Sequence, residues 1–316
     1  MTLNIKNLRQ QAESRLKASA YDPKKLVLIH TAIALGASLA VTLIGFLINL
    51  EIANTGGLSG MGTRSILTTV QMMLELAVMV LLPFWNIGLI RAALNWSTGE
   101  RAEIPTLLEG FRRFGPVLRQ NFLMGGLFMI VAFLASQIAS TVYMLTPFSK
   151  PLMELMSQIM EANDPYALMD EAFTAQMLEA MTPVLVIFGI FFAGLAIPLF
   201  YRVRFSEFSL MSGARALESM LISFRITKGS VKQIVKLDLS FWWFYALQGL
   251  TVALSYGDAI LAAAGITLPM SGDASFFLFY VLGAAAQLAL LWQFQAKVSA
   301  TYAEAYQTLN SEKIDN

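Results

Sequence analysis

Cysteine is absent from the 316-residue chain, so neither a disulfide framework nor a thiolate metal site can form. Histidine occurs once, at His30, and without further histidines zinc chemistry of the usual kind is excluded. Charge is also scarce. Only 14% of residues are Asp, Glu, Lys or Arg, against about 25% in an ordinary soluble domain. The net charge of +1 leaves no excess of either sign to attract nucleic acid. No GxxxxGK[ST] motif is present, so energy from ATP would have to come through another chain. The stretch from Met1 to Lys25 is polar and basic, with no apolar core leading to a small-residue cleavage site, and is expected to stay in the mature protein rather than act as a secretory signal.

What the chain has in quantity is apolar length: 56% hydrophobic residues and a mean hydropathy of +0.61. A membrane-crossing helix needs about 20 mainly apolar residues, because each adds about 1.5 Å across a core about 30 Å thick. Six stretches meet or approach this, near Leu26–Leu50, Ile66–Ile90, Phe122–Leu145, Val184–Tyr201, Leu239–Tyr256 and Ala274–Phe294. The expected fold is therefore an all-α polytopic membrane protein, a single integral membrane domain over residues 1–316. An external, acidic, Met-rich helical insertion is expected at 151–182.

Basic residues set the orientation, because Lys and Arg accumulate in cytoplasmic loops. The N-terminal arm, the second loop from Arg91 to Arg119, the fourth loop from Arg202 to Lys236 and the tail hold 20 of the 22. Only Arg64 and Lys150 fall in the loops between them. Both termini are expected inside. Trp85, Trp96, the run Phe241–Tyr245 and Trp292 are candidate interface anchors. Leu8, Ala12 and Leu16 share one side of a short N-terminal helix suited to the inner membrane surface.

The two large basic loops resemble each other at a displacement of 113 positions. Ile104, Leu107, Leu108 and Phe111 follow the i, i+3, i+4, i+7 spacing of one helical face, and Leu217, Met220, Leu221 and Phe224 repeat it. Arg91 and Arg112 match Arg204 and Arg225, and a breaker follows each stripe: Gly115-Pro116 in one loop, Gly229-Ser230 in the other. A cytoplasmic amphipathic helix followed by a transmembrane hairpin would be the repeated unit. With the N-terminal arm as a weaker first copy, three such units account for six spans. The apolar stripes should face lipid or the bundle, with Arg112 and Arg225 on the aqueous or headgroup side.

The segment Ala216-Leu217-Glu218-Ser219 through Phe224, Lys228-Gly229 and Lys236-Leu237-Asp238-Leu239-Ser240-Phe241 resembles an uncharacterised bacterial integral-membrane family, domain of unknown function 975. Gly99-Glu100, Leu108-Glu109-Gly110-Phe111-Arg112 and Thr301-Tyr302-Ala303-Glu304-Ala305-Tyr306 are similar to its upstream loop and its C-terminal end. The long loop from Lys150 to Thr182 departs from it. The resemblance implies a bacterial plasma-membrane protein and carries no activity.

Chemistry is sparse. Gly57-Leu58-Ser59-Gly60 superficially resembles the rhomboid protease motif, but Ser59 belongs to an external loop and His30 to the inner end of a span, about 30 Å apart. Met153, Met156, Met160, Met169, Met177 and Met181 could offer copper(I) thioethers, yet the interleaved Glu154, Glu161, Asp164, Asp170, Glu171 and Glu179 make an amphipathic hairpin the simpler reading. Inside the spans lie Gln71, Glu75, Asn86, Gln137, Gln248 and Gln287, with Pro83 opening one backbone bond; Asp238 and Asp258 read as interfacial. Glu75, with Gln71 and Asn86, is the candidate intramembrane polar site, expected to face other helices or a polar cavity. Arg112, Arg113, Arg225, Lys228 and Lys232 are candidate contacts to anionic lipid headgroups or a membrane-protein partner. No cofactor or catalytic constellation is expected. The leading function is a noncatalytic membrane scaffold or accessory subunit acting through interfacial helices and the external hairpin, with a small-solute transporter or transporter component as the alternative. A lipid-acting enzyme ranks below both.

Overall fold

The computed structural model describes residues 3–54, 60–161, 171–266 and 272–314, and these are helical with no strand among them. In chain order the α-helices are α1 Ile5–Lys17, α2 Pro23–Asn54, α3 Gly60–Thr98, α4 Glu109–Arg112, α5 Phe114–Met144, α6 Lys150–Glu161, α7 Glu171–Val203, α8 Ser206–Met211, α9 Ala216–Thr227, α10 Val231–Leu239, α11 Trp242–Ser255, α12 Gly257–Ala263 and α13 Gly272–Ile314. Short 3-10 turns cover Ile104–Leu108 and Pro147–Ser149.

Five stretches among the described residues are long and apolar enough to cross a membrane: Pro23–Ile48, Ser65–Thr98, Phe114–Met144, Phe173–Met211 and Ala274–Ser311. A sixth follows if α11 and α12, bent by 73° at Tyr256, make one broken span. Four expected spans thus lie within longer helices, whose apolar length exceeds the hydrocarbon thickness. The fifth differs. Leu239 ends α10, and α11 supplies only 14 residues, about 21 Å of rise, before the bend.

Two further expectations need correction. Gly115-Pro116 does not break the chain but sits in the first turn of α5, where a proline removes no intrahelical bond. The stripe from Ile104 to Phe111 is not one α-helix. Pro105 opens a 3-10 turn, and a single α-turn follows at Glu109–Arg112. The cause is packing: a side chain at Gly88 of α3 would strike the Leu107 backbone, and one at Gly110 would strike the Phe84 backbone. The second stripe, on α9, is a continuous helix. Leu107 and Met220 are buried, Leu108 and Leu221 exposed, Phe111 and Phe224 half-buried, and Arg112 and Arg225 exposed.

The chain divides into two units, Met1–Leu118 with Phe205–Asn316, and Arg119–Arg204. In the first, α2 runs antiparallel to α3 and to α13. His30 and Trp85 stack with ring centroids 5.4 Å apart, Phe46 stacks on Phe277 at 5.8 Å, and Lys24 Nζ donates to Gln293 at 3.0 Å. α11 and α12 lie against α13 through Trp243 on Phe294 at 4.8 Å and through two glycines, Gly283 closing on Ser255 and Gly257 on Phe279. In the second unit Tyr143 Oη donates to the Ala180 carbonyl at 3.0 Å. There α6 packs Leu155 against Phe173 and Ala180 of α7, with Leu152, Ile159 and Met177 around them. The second arm of the expected insertion is therefore the start of α7 itself, while residues 162–170 lie outside the described part.

Burial is uneven. Large apolar side chains along the spans are exposed, Met72, Phe122 and Met129 among them, as lipid-facing surfaces require. The largest fully buried ones, Trp96, Phe84, Phe205, Phe241 and Phe244, gather where the chain ends meet the basic loops.

Candidate functional site

That packed end of the first unit is a platform built from α1, the segment after α3, α8 to α10, and the last turns of α13. Each piece is positioned by local chemistry. The Asn4 side chain caps α1 by accepting from the Asn7 amide at 3.2 Å. Leu8 and Ala12 turn inward, and polar groups tie the helix down: Lys297 Nζ to Glu13 at 3.0 Å, Arg15 Nε to Glu304 at 4.0 Å, and the Arg9 guanidinium 4.4 Å above the Phe241 ring. The Leu3 amide donates to Gln233 at 3.1 Å. Hydrogen bonds from Lys297 and then Lys17 hold the Glu13 carboxyl below its ordinary range.

α3 ends at Gly99, whose φ of 78° suits a residue without Cβ, and the Glu100 amide returns to the Asn95 carbonyl at 2.8 Å. Beyond it two arginines converge on the C-terminus of α8. Arg91 donates to the Met211 carbonyl and Arg113 to the Leu210 carbonyl, each at 3.1 Å. Cations there satisfy helix-end carbonyls and oppose the helix dipole. α8 is fixed to α9 by the Phe205 amide donating to Ser223 Oγ at 3.1 Å, and Gly213, at φ 110°, makes the turn between them. A chain of hydroxyls joins α10, α11 and α13: Tyr302 donates to Asp238, and Tyr245 Oη lies 2.8 Å from Tyr302 Oη.

A cleft of about 380 Å³ opens between α8, α9 and α13, with Ser212, Glu218, Arg225, Tyr306 and Asn310 on its walls. Ser209 also lines it, and its buried Oγ has no partner among the described residues. Asn95 Oδ1 and Trp96 Nε1 are likewise buried without a partner in the same end of the molecule. Such groups are few in folded proteins. Among the described residues no group of three or more His, Asp or Glu side chains could hold a metal ion.

The candidate residues scatter. Arg225 stands on the cleft wall, and Lys228 and Lys232 are exposed nearby in the chain. Arg112 is exposed but pairs with Glu109 at 2.7 Å on its own turn. Arg113 is turned inward onto α8. Glu75 is exposed on α3, and its bond comes from Gln71, one turn earlier on the same helix, at 3.0 Å rather than from another helix. The Gln71 amide in turn rests against Gly45 of α2, close enough that a Cβ there would lie 2.7 Å from its nitrogen. Asn86 is exposed and eleven residues further along, so it does not join that pair. Ser59 lies outside the described residues. The sequence reading gave no site role to Arg91, Ser209, Glu304, Tyr302 or Tyr306; the two tyrosines, both buried, lie one turn apart on α13.

No known protein family, curated protein or solved structure matches the chain.

Proposed function

We propose that the protein is a noncatalytic multi-pass scaffold or accessory subunit of the bacterial plasma membrane that presents the platform at the cytoplasmic face as a docking surface. One observation carries the reading. Four segments far apart in sequence, the N-terminal arm, both basic loops and the end of α13, are bonded into one body, while Arg225, Lys228 and Lys232 stay exposed on it. Both termini inside and kinship with domain of unknown function 975 belong to the same proposal, supported by the basic-residue bias and the matched segments; the three helix-plus-hairpin repeats rest on the matched spacing alone, since the first stripe is a 3-10 turn followed by one α-turn. Anionic lipid would strengthen docking by about 1 kcal/mol for each cation near the surface.

A photo-crosslinker at Lys228 or Lys232 in intact cells tests this. A discrete partner adduct that disappears when Arg225 is reversed to Glu supports it. Solute flux by the purified, reconstituted chain without any partner contradicts it and favours the second reading, a small-solute transporter or transporter component. That reading rests on the 73° break at Tyr256, beside which Asp258 Oδ1 is shielded without a partner among the described residues. Broken helices at membrane depth commonly line ion or substrate sites.

A further inference from the structure

The cleft between α8, α9 and α13 carries more unused hydrogen-bonding capacity than the packing of the platform explains. Ser209 on its wall is 1% exposed, and its Oγ has no partner among the described residues. A helical serine ordinarily bonds back to a carbonyl one turn earlier, as Ser212 does to Phe208 at 2.9 Å. Tyr306 is buried too, its ring stacked on Phe208 at 5.7 Å, and its hydroxyl makes no hydrogen bond among the described residues. The Asn310 carboxamide and the Arg225 guanidinium, both on the walls, are equally unbonded among them. Glu218 gives one carboxyl oxygen to the Arg215 amide at 3.3 Å and keeps the other.

The position of the cleft along α13 selects a ligand from water rather than from lipid. That helix is uncharged from Ala274 to Ala296, about 34 Å of rise and enough to cross the hydrocarbon. Tyr306 and Asn310 lie nine and thirteen residues past Lys297, about 14 Å and 20 Å further along the helix and beyond the headgroup layer. The charges of the cleft are laid out in line. Glu218 and Arg225 stand seven residues apart, on one face of α9 and about 10 Å from each other along it, and no ion pair joins them. A simple anion would meet Glu218 here, and a simple cation Arg225. We propose that the cleft binds a short peptide with free termini, its carboxylate on Arg225, its ammonium on Glu218 and its amide groups bonded to Ser209, Tyr306 and Asn310. Three extended residues span about 10 Å, matching the two charges. The cleft volume of about 380 Å³ falls within the range of small-molecule sites, about 300–1,000 Å³. The inference stands apart from the docking reading, whose exposed Lys228 and Lys232 do not line the cleft.

Calorimetry on the whole chain in lipid nanodiscs tests this with three probes: triglycine, N-acetyl-triglycine, which lacks the ammonium, and triglycinamide, which lacks the carboxylate. The native chain is expected to bind triglycine at least about tenfold more tightly than either capped form, a difference of about 1.4 kcal/mol. Arg225→Gln should abolish the preference for triglycine over triglycinamide and leave the other preference in place. Glu218→Gln, which keeps an acceptor for the Arg215 amide, should do the reverse. Ser209→Ala should weaken all three probes alike. A native chain that binds no triglycine overturns the proposal, as do equal affinities for free and capped peptides, preferences that both charge variants leave unchanged, or a Ser209→Ala chain that binds as tightly as the native one. The capped series on the native chain needs no substitution, so it decides even where a variant fails to fold.

Discussion

His30 and Trp85 each bond to the other's backbone. His30 Nε2 lies 3.2 Å from the Trp85 carbonyl, Trp85 Nε1 donates to the His30 carbonyl at 2.9 Å, and the two rings lie within 4° of parallel. Both side chains are buried where α2 passes α3. The one histidine of the chain is thus spent on pinning two helices together, with His30 Nε2 and Trp85 Nε1 each partnered across the interface.

Removing either ring should therefore loosen the α2–α3 pair. Trp85→Phe keeps most of the stacking and loses the donor; His30→Leu loses both. Thermal unfolding in mild detergent is expected to show each single variant destabilised, and a double-mutant cycle should return a coupling of about 1–2 kcal/mol, near the upper end seen for polar pairs in membranes. Additive effects would remove the pin.

Glycine substitutions should separate close backbone contacts from open positions. Gly88→Ala and Gly110→Ala each push a methyl into the main chain of Leu107 or Phe84, which cannot yield as a side-chain tip would. Each is expected to cost at least about 1–3 kcal/mol. Gly189→Ala, inside α7 with nothing within 4 Å, should be neutral or gain up to about 1 kcal/mol from helix propensity. Thermal shifts of the three variants provide the comparison.

Apolar length marked the candidate spans in the sequence, because crossing a bilayer imposes one demand, a long apolar run. Segment ends were less legible. The third span begins at Phe114 because a proline is tolerated in a first turn, and the fifth breaks at Tyr256 with no proline there, only Gly257 directly after it. The platform was harder still, since its ties join residues far apart in sequence: Arg91 with Met211, Glu13 with Lys297, Phe205 with Ser223. Nothing in the local spacing of Arg113 distinguishes an arginine that caps α8 from one that meets lipid. Glu75 stood out in sequence by its chemistry, but that its side chain stays exposed, bonded only within its own helix to Gln71, was not legible there.

Docking of α1 should depend on pH through Glu13. Its carboxyl is held below the ordinary value of 4.5, first by the hydrogen bond from Lys297 and then by that from Lys17. The stabilisation it provides is complete above that ordinary value and is lost as pH falls through the lowered one. Hydrogen exchange across Ile5–Lys17 should accelerate on acidification below 4.5 more in the native chain than in Glu13→Gln. High salt should shrink the difference, because these groups are in contact with water. Equal acid sensitivity in both chains would show that this contact does not hold α1.

The docking account requires the platform to face the cytoplasm with the α6 hairpin on the other side, and impermeant maleimide labelling of single-cysteine variants in sealed cells tests that most directly. With no native cysteine, the signal from each site stands alone. Gln158→Cys is expected to label in intact cells, and Lys228→Cys only after the membrane is opened. Labelling of Lys228→Cys in intact cells, with Gln158→Cys protected, would contradict the account.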